Sequence, residues 1–196
     1  IRSPRGVIER EVRRGIEQKS QTELIYSGSF AFSRPERFVL RSLGELLEIK
    51  LREQLREELG GTYSVAVAPA ANRIPLEEYS LTIRFGSAPD RVGQLLRAIS
   101  AQIDTLTRLG PNDRDLAKVR EATIRTRETA LRENDFWLGQ LAAVEQNGDD
   151  PHVILDQSDL LALLTADRIK AAAAKYLDPK NYVRVTLLPA DPPATP

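Results

Sequence analysis

Cysteine and methionine are both absent, and histidine occurs once, at His152. Without cysteine there is no disulfide framework and no thiolate chemistry, and the redox compartment stays undetermined. An ordinary zinc site draws three or four ligands from His, Cys and acidic side chains. With one imidazole and no thiol, this chain is not expected to bind a metal or any other cofactor by itself. A serine triad would have to use His152 as well. An excess of either charge is also missing: 28 Lys and Arg balance 28 Asp and Glu. That balance removes the electrostatic footprint of a nucleic-acid partner. Long apolar runs are missing too, so no membrane span is expected, and no signal peptide is visible. The chain starts at Ile1 and reads as a piece of something longer.

What is present describes a globular protein, 41% hydrophobic and 29% charged over 196 residues,. Residues 1–20 read as a charged linker running into a first polar strand. From Thr22 to Phe32, Leu24, Tyr26, Phe30 and Phe32 alternate with Glu23, Ile25, Ser27 and Ser29, the period of a half-buried strand,. Pro35 opens a helix to about Leu59, with Val39, Leu43, Leu47, Leu51 and Leu55 at spacing four,. Gly60 and Gly61 end it,.

Two strands then alternate around Tyr63, Val65 and Val67, and around Tyr79, Leu81, Ile83 and Phe85, with a turn at Asn72 to Pro75. They form a hairpin with one buried face. A helix from Pro89 buries Val92, Leu95, Leu96, Ile99, Ile103 and Leu106, and Gly110 and Pro111 punctuate it,. Asn112 caps a long charged helix to about Asn134,. Asp135 caps a shorter helix with Phe136, Trp137, Leu141 and Val144, ended by Asn147 and Gly148. Short helices follow between Pro151 and Leu164, and Thr165 caps an alanine-rich helix to about Leu177. In a closing strand Val183, Val185 and Leu187 alternate with Arg184 and Thr186. This order predicts one α+β domain over residues 1–189, a two-layer fold with a mostly antiparallel sheet and its helices packed on one face. The proline-rich tail at 190–196 is expected to be disordered.

Chemistry concentrates at LREQLREELGGTYSV, residues 51–65. A helix meets a strand through two glycines there, with Arg56 in the last helical turn and Tyr63 at the strand entry. A guanidinium and a neutral phenol brought to one end of a sheet could bind a carbonyl oxygen or an oxyanion forming on it. The same residues admit a structural reading: Arg56 pairs with Glu53 or Glu57 on its own helix, and Tyr63 covers the core in step with Val65 and Val67. His152 reads as a solvated loop residue, Phe136 and Trp137 as a core anchor, and the run from Arg120 to Arg132 as a solvated helix face.

With Arg56, Gly60 and Tyr63 standing in an R-x-x-x-G-x-x-Y arrangement, the stretch resembles the inactive-half domains of the pitrilysin and insulinase family of zinc metallopeptidases. The similarity continues through Pro75 to Gly86, Ala88 to Val92, Gly110 to Glu121 and Arg132 to Leu141. Leu164 to Asp178 and Asn181 to Pro189 complete the set, in the family's order. The resemblance implies a domain of a zinc endopeptidase whose catalytic zinc sits elsewhere, on an H-x-x-E-H motif that this sequence lacks,. It implies two halves closing around a peptide chamber. The zinc-bearing half, fused or a separate subunit, would be the partner and a peptide the substrate. Carried over, Tyr63 donates to the scissile carbonyl oxygen, and Arg56 holds the substrate backbone or Tyr63, with Gly60 and Gly61 at the same substrate-binding turn. Alone, the piece would be inert. Two other readings stay open: a structural or assembly domain of an inactive relative, and a module that adds peptide strands to a sheet edge. Exported relatives make an extracytoplasmic, periplasmic home the expectation.

Overall fold

A stripe of aliphatic residues at every fourth position puts helix α1 (Arg34–Leu59) at the centre of the molecule. Val39, Leu43, Leu47, Leu51 and Leu55 are all buried, three of them without any exposed surface. The computed structural model describes residues 3–59, 64–155 and 157–190, without the side chains of residues 56–59. Around α1 the chain forms β1 (Val7–Arg13), β2 (Ser20–Ser29), β3 (Val65–Asn72), β4 (Glu78–Ser87), α2 (Val92–Leu109) and α3 (Asp113–Ala130). Then come α4 (Asn134–Asn147), α5 (Ser158–Ala162), α6 (Ala166–Tyr176) and β5 (Tyr182–Leu188).

The five strands make one sheet in the order β1-β5-β2-β4-β3. Its ladders are antiparallel except β1 with β5, which is parallel. Register puts Leu24, Ile83 and Val67 in one row and Thr22, Phe85 and Val65 in the next, all on the helix side. That face, α1, α2 and α6 share one core, with Ile99, Ile169, Ala173 and Leu177 fully buried against it. The alanines of α6 matter because they have no bulk: Ala172 and Ala173 face inward and let α6 lie close to α1 and α2,.

Several local expectations hold at the residue level. Asn112 Oδ1 accepts from the Asp115 amide at 2.8 Å, and Thr165 Oγ1 accepts from the Arg168 amide at 3.2 Å, both N-caps,. Gly110 ends α2 with φ of 79°, where its amide donates to the Leu106 carbonyl. A side chain there would be strained and would also meet Lys170,.

Others are corrected. The strand expected from Thr22 to Phe32 runs Ser20–Ser29, and Phe30 beyond it stays buried with its amide donating to the Glu77 carbonyl at 2.9 Å. The long charged helix stops at Ala130, not near Asn134. Asp135 is not a cap: Glu133 holds the N-cap position of α4 without a side-chain hydrogen bond, and Asp135 lies in the first turn, where the helix dipole favours an anion,. Phe136 and Trp137 are half-buried, with the Trp137 indole donating to the Leu131 carbonyl at 2.9 Å. The face from Arg120 to Arg132 is not simply solvated. Arg120 donates to the Leu161 and Leu164 carbonyls, and Arg127 to the Ile154 carbonyl. With Arg34 donating to the Val153 carbonyl, these guanidiniums satisfy the open carbonyl ends of short helical turns that cannot cap themselves. Finally, Val185 and Leu187 point away from the core, 37% and 41% exposed, whereas Thr186 is buried.

One polar cluster ties the start of α1 to α6. The Glu36 carboxylate accepts from the Tyr176 hydroxyl at 2.5 Å, Arg168 at 2.6 Å and Lys175 at 3.1 Å. Burial pushes the Glu36 carboxyl up, but these three donors more than offset it, so its pKa lies below the ordinary glutamate value,. Tyr176 moves the other way, raised by burial and by the Glu36 charge. A depressed carboxyl stabilises the fold fully above its unfolded pKa, and this contribution disappears as pH falls through the folded pKa. Glu36→Gln should therefore cost about 1–2 kcal/mol at pH 7, the Arg168 and Lys175 partners being half exposed and screened. Denaturant unfolding should show the gap between variant and wild type closing in acid, below the ordinary glutamate pKa of about 4.3. Leu47→Ala, in the fully buried stripe, should cost about 2–5 kcal/mol at either pH.

Candidate functional site

The segment singled out by its chemistry joins α1 to β3. Arg56 belongs to the last turns of α1, but its side chain lies outside the described residues, as do Gly60, Gly61 and Tyr63. The frame on either side is described. Leu55 is anchored in the core before the gap and Val65 after it, at 2% and 7% exposure. Beyond the gap, the Ser64 carbonyl accepts from the Gly86 amide at 3.2 Å, fixing the strand entry against the end of β4. The chain thus leaves a buried helix and enters the sheet at the end where β1, β4 and β5 finish and β2 begins.

The side chains near this frame are mostly spoken for. Glu53, one structural partner offered for Arg56, has its Oε1 held by Lys118 Nζ at 2.5 Å. Lys50 Nζ meets the buried Asp115 carboxylate at 2.9 Å. At the sheet end, hydroxyls satisfy one another: Ser20 Oγ lies 2.9 Å from Ser87 Oγ, and Thr22 Oγ1 lies 3.2 Å from Thr186 Oγ1. Ser20, Thr22 and Ser87 sit on strand faces that alternation marks as inward, a signal that a hydrophobicity count passes over, whereas Thr186 lies on the face of β5 opposite its valines.

The free edge of β3 bears on strand addition. Because Ser64 bonds toward β4, alternation turns the backbone of Val65, Val67, Pro69 and Ala71 outward. Glu48 Oε2 takes the Val67 amide at 3.0 Å, while its other oxygen pairs with Arg52. Pro69 has no amide to offer, and its ring lies so close to Gly44 that a Cβ there would come within 2.7 Å of Cγ,. A carboxylate and a proline therefore blunt this edge against an incoming strand. Beside them burial raises the Glu45 pKa, a Thr123 hydrogen bond and Arg41 lower it, and Glu48 adds to the rise.

Among the described residues, no group of three or more His, Cys, Asp or Glu side chains could hold a metal ion. His152 is exposed, its Nδ1 2.8 Å from Asp150 Oδ1, and nothing else gathers around it to make a ligand set. The described residues offer no ligand set for zinc. No helix among the described residues is long and apolar enough to cross a membrane.

A family profile described as the peptidase M16 inactive domain matches residues 2–123. The chain belongs to that family, the inactive domains of the pitrilysin and insulinase type of protease. A zinc protease PQQL-like protein of Arabidopsis thaliana is 28% identical over 104 residues, half of this chain and 11% of the plant protein. The crystal structure of the periplasmic protease PqqL from Escherichia coli superposes with a TM-score of 0.77 at 21% identity, over 93% of this chain and 20% of that one. A peptidase M16 inactive domain from Pseudomonas fluorescens gives 0.76 at 18%, over 98% of this chain and 47% of that one. Identities this low establish a shared fold. In each case the chain spans less than half the length of its relative.

The β3 edge yields a direct test. Glu48→Ala should speed hydrogen exchange at the Val67 amide roughly tenfold, the equivalent of losing about 1.5 kcal/mol from a bond to a charged acceptor. An unchanged rate would mean that Glu48 does not guard the edge.

Proposed function

We propose that this chain is the non-zinc domain of a zinc-dependent endopeptidase, forming part of the wall of a closed peptide chamber. It supplies Tyr63 and Arg56 to the substrate. The observation that carries the reading is the family match across residues 2–123, which spans the helix-to-strand turn holding Arg56, Gly60 and Tyr63. Tyr63 would donate its hydroxyl proton as a hydrogen bond to the scissile carbonyl oxygen, most strongly as that oxygen gains charge. Arg56, charged at every working pH, would hold the substrate backbone or orient Tyr63. Gly60 and Gly61 leave room for a main chain to pass close to the turn. Zinc, with its capacity to activate water, belongs to another domain of the parent or to a partner subunit. The blunted β3 edge supports a division of labour in which the other half pairs with the substrate backbone and this chain contacts it through side chains. A periplasmic home follows by analogy with the Escherichia coli protease.

The test is peptide turnover by the full-length gene product, wild type against Tyr63→Phe, on a flexible peptide. Removing one oxyanion donor costs about a hundredfold or more in kcat. Such a fall with Tm and KM nearly unchanged supports the role. Unchanged kcat returns Tyr63 to the core, and a wild type without turnover favours an assembly domain.

A further inference from the structure

In a chain whose 28 basic and 28 acidic residues cancel, four arginines line one cavity. Arg34, Arg37 and Arg41 come from the first turns of α1, and Arg127 from the last turn of α3. Positions 34, 37 and 41 are three and four apart, which sets them on one side of α1, and Arg127 brings a charge from a second helix. The cavity holds about 100 Å³, and the buried Phe38 and Ile154 line it as well. Asp149 is the one acid among its described lining residues. Arg34 also pairs with Asp159, outside the lining, at 2.7 Å. Four arginines outnumber Asp149, Asp159 and Asp156 together, the last lying outside the described residues. Two of the four have unengaged donors. Arg37 Nε is buried with no hydrogen-bond partner among the described residues. The rest of that guanidinium is held, one terminal nitrogen 3.3 Å from Asp149 and its carbon 4.5 Å from the centre of the Phe32 ring. Arg41 is exposed and has no hydrogen-bond partner among the described residues. A buried donor without an acceptor is costly, and like charges at these helical spacings repel. A bound anion removes both penalties.

We propose that this cavity binds a compact tetrahedral oxyanion, phosphate or the phosphoryl head of a small monoester. Size makes the first selection. At about 30 Å³ per water the space equals roughly three waters, enough for one such ion and too little for a segment of acidic peptide. Donor geometry makes the second. Guanidinium forks pair with phosphate and with carboxylate oxygens alike, but donors arriving from two helices suit oxygens that point in tetrahedral directions better than the two coplanar oxygens of a carboxylate. Phe38 and Ile154 keep water from part of the lining, which strengthens the attraction between ion and arginines. Once bound, the ion ties the start of α1 to the end of α3 and to the segment from Asp149 to Ile154. This site lies at the opposite end of α1 from Arg56 and stands independently of the peptidase reading.

The test is a phosphate titration of the full-length gene product at constant ionic strength, with chloride as the balancing anion. Tm is one readout, and hydrogen exchange in the segments 34–41 and 149–154 is the other. Saturable binding is expected, with a Kd of about 1 mM or tighter, raising Tm and slowing exchange in both segments. Arg41→Gln should weaken binding about tenfold, the loss of one hydrogen bond to a charged acceptor. Because Arg41 is exposed and unbonded, that variant should keep the wild-type Tm when phosphate is absent. Arg97→Gln makes the same charge change at an exposed position of α2 and should leave binding as it is. Phosphate that acts no better than chloride overturns the proposal. So does binding that Arg41→Gln leaves intact, or that Arg97→Gln weakens equally. Glycerol phosphate separates the two sources: affinity equal to or above that of inorganic phosphate assigns the site to a monoester head, and weaker binding assigns it to the free ion.

Discussion

Everything in this fold depends on α1 lying across the sheet. Its leucine stripe fills the space between the strands and the packed helices α2 and α6, and fully buried aliphatic side chains contribute about 1.5–3 kcal/mol each relative to exposure,. The consequence reaches the candidate site. Leu55 before the stretch with Arg56 and Tyr63, and Val65 after it, are held in the core, and the Ser64 carbonyl accepts from the Gly86 amide, the kind of support that positioned chemistry requires.

Polar groups do a second kind of work, closing ends that packing leaves open. Arginines from α1 and α3 reach the carbonyls around residues 153–164, and Glu36 gathers three donors at the start of α1. Glu48 and Pro69 do the same for the β3 edge. The arginines and Glu48 each meet a backbone group that regular structure cannot satisfy, whereas Glu36 gathers side-chain donors,. This is where the balance of charge goes: many arginines and glutamates that look like surface solvation in the sequence are bonded to specific backbone or side-chain partners.

The sheet has two polarities, and that organises the molecule's outside. Over β2, β4 and β3 the helix layer completes the core. Over β1 and β5 the aliphatic face is turned away from that layer. The chain spans 47% of one related structure and 20% of another.

The sequence alone determined the α+β class, most helix spans and most of the core. Those rest on local periodicity: Leu43, Leu47 and Leu51 recur at helical spacing, Tyr79, Leu81, Ile83 and Phe85 at strand spacing, and Asn112 and Thr165 cap through amides three residues on. The sequence also marked Arg56, Gly60, Gly61 and Tyr63, through residue types and a family resemblance, while the geometry of those four side chains lies outside the described residues. Only the tertiary structure decided which side of the sheet Val185 and Leu187 take, since alternation gives two faces without saying which one the helices cover. It also decided the partners of Arg120, Arg127 and Glu48, because each bonds a backbone group at least 19 residues away, a distance over which sequence spacing carries no signal.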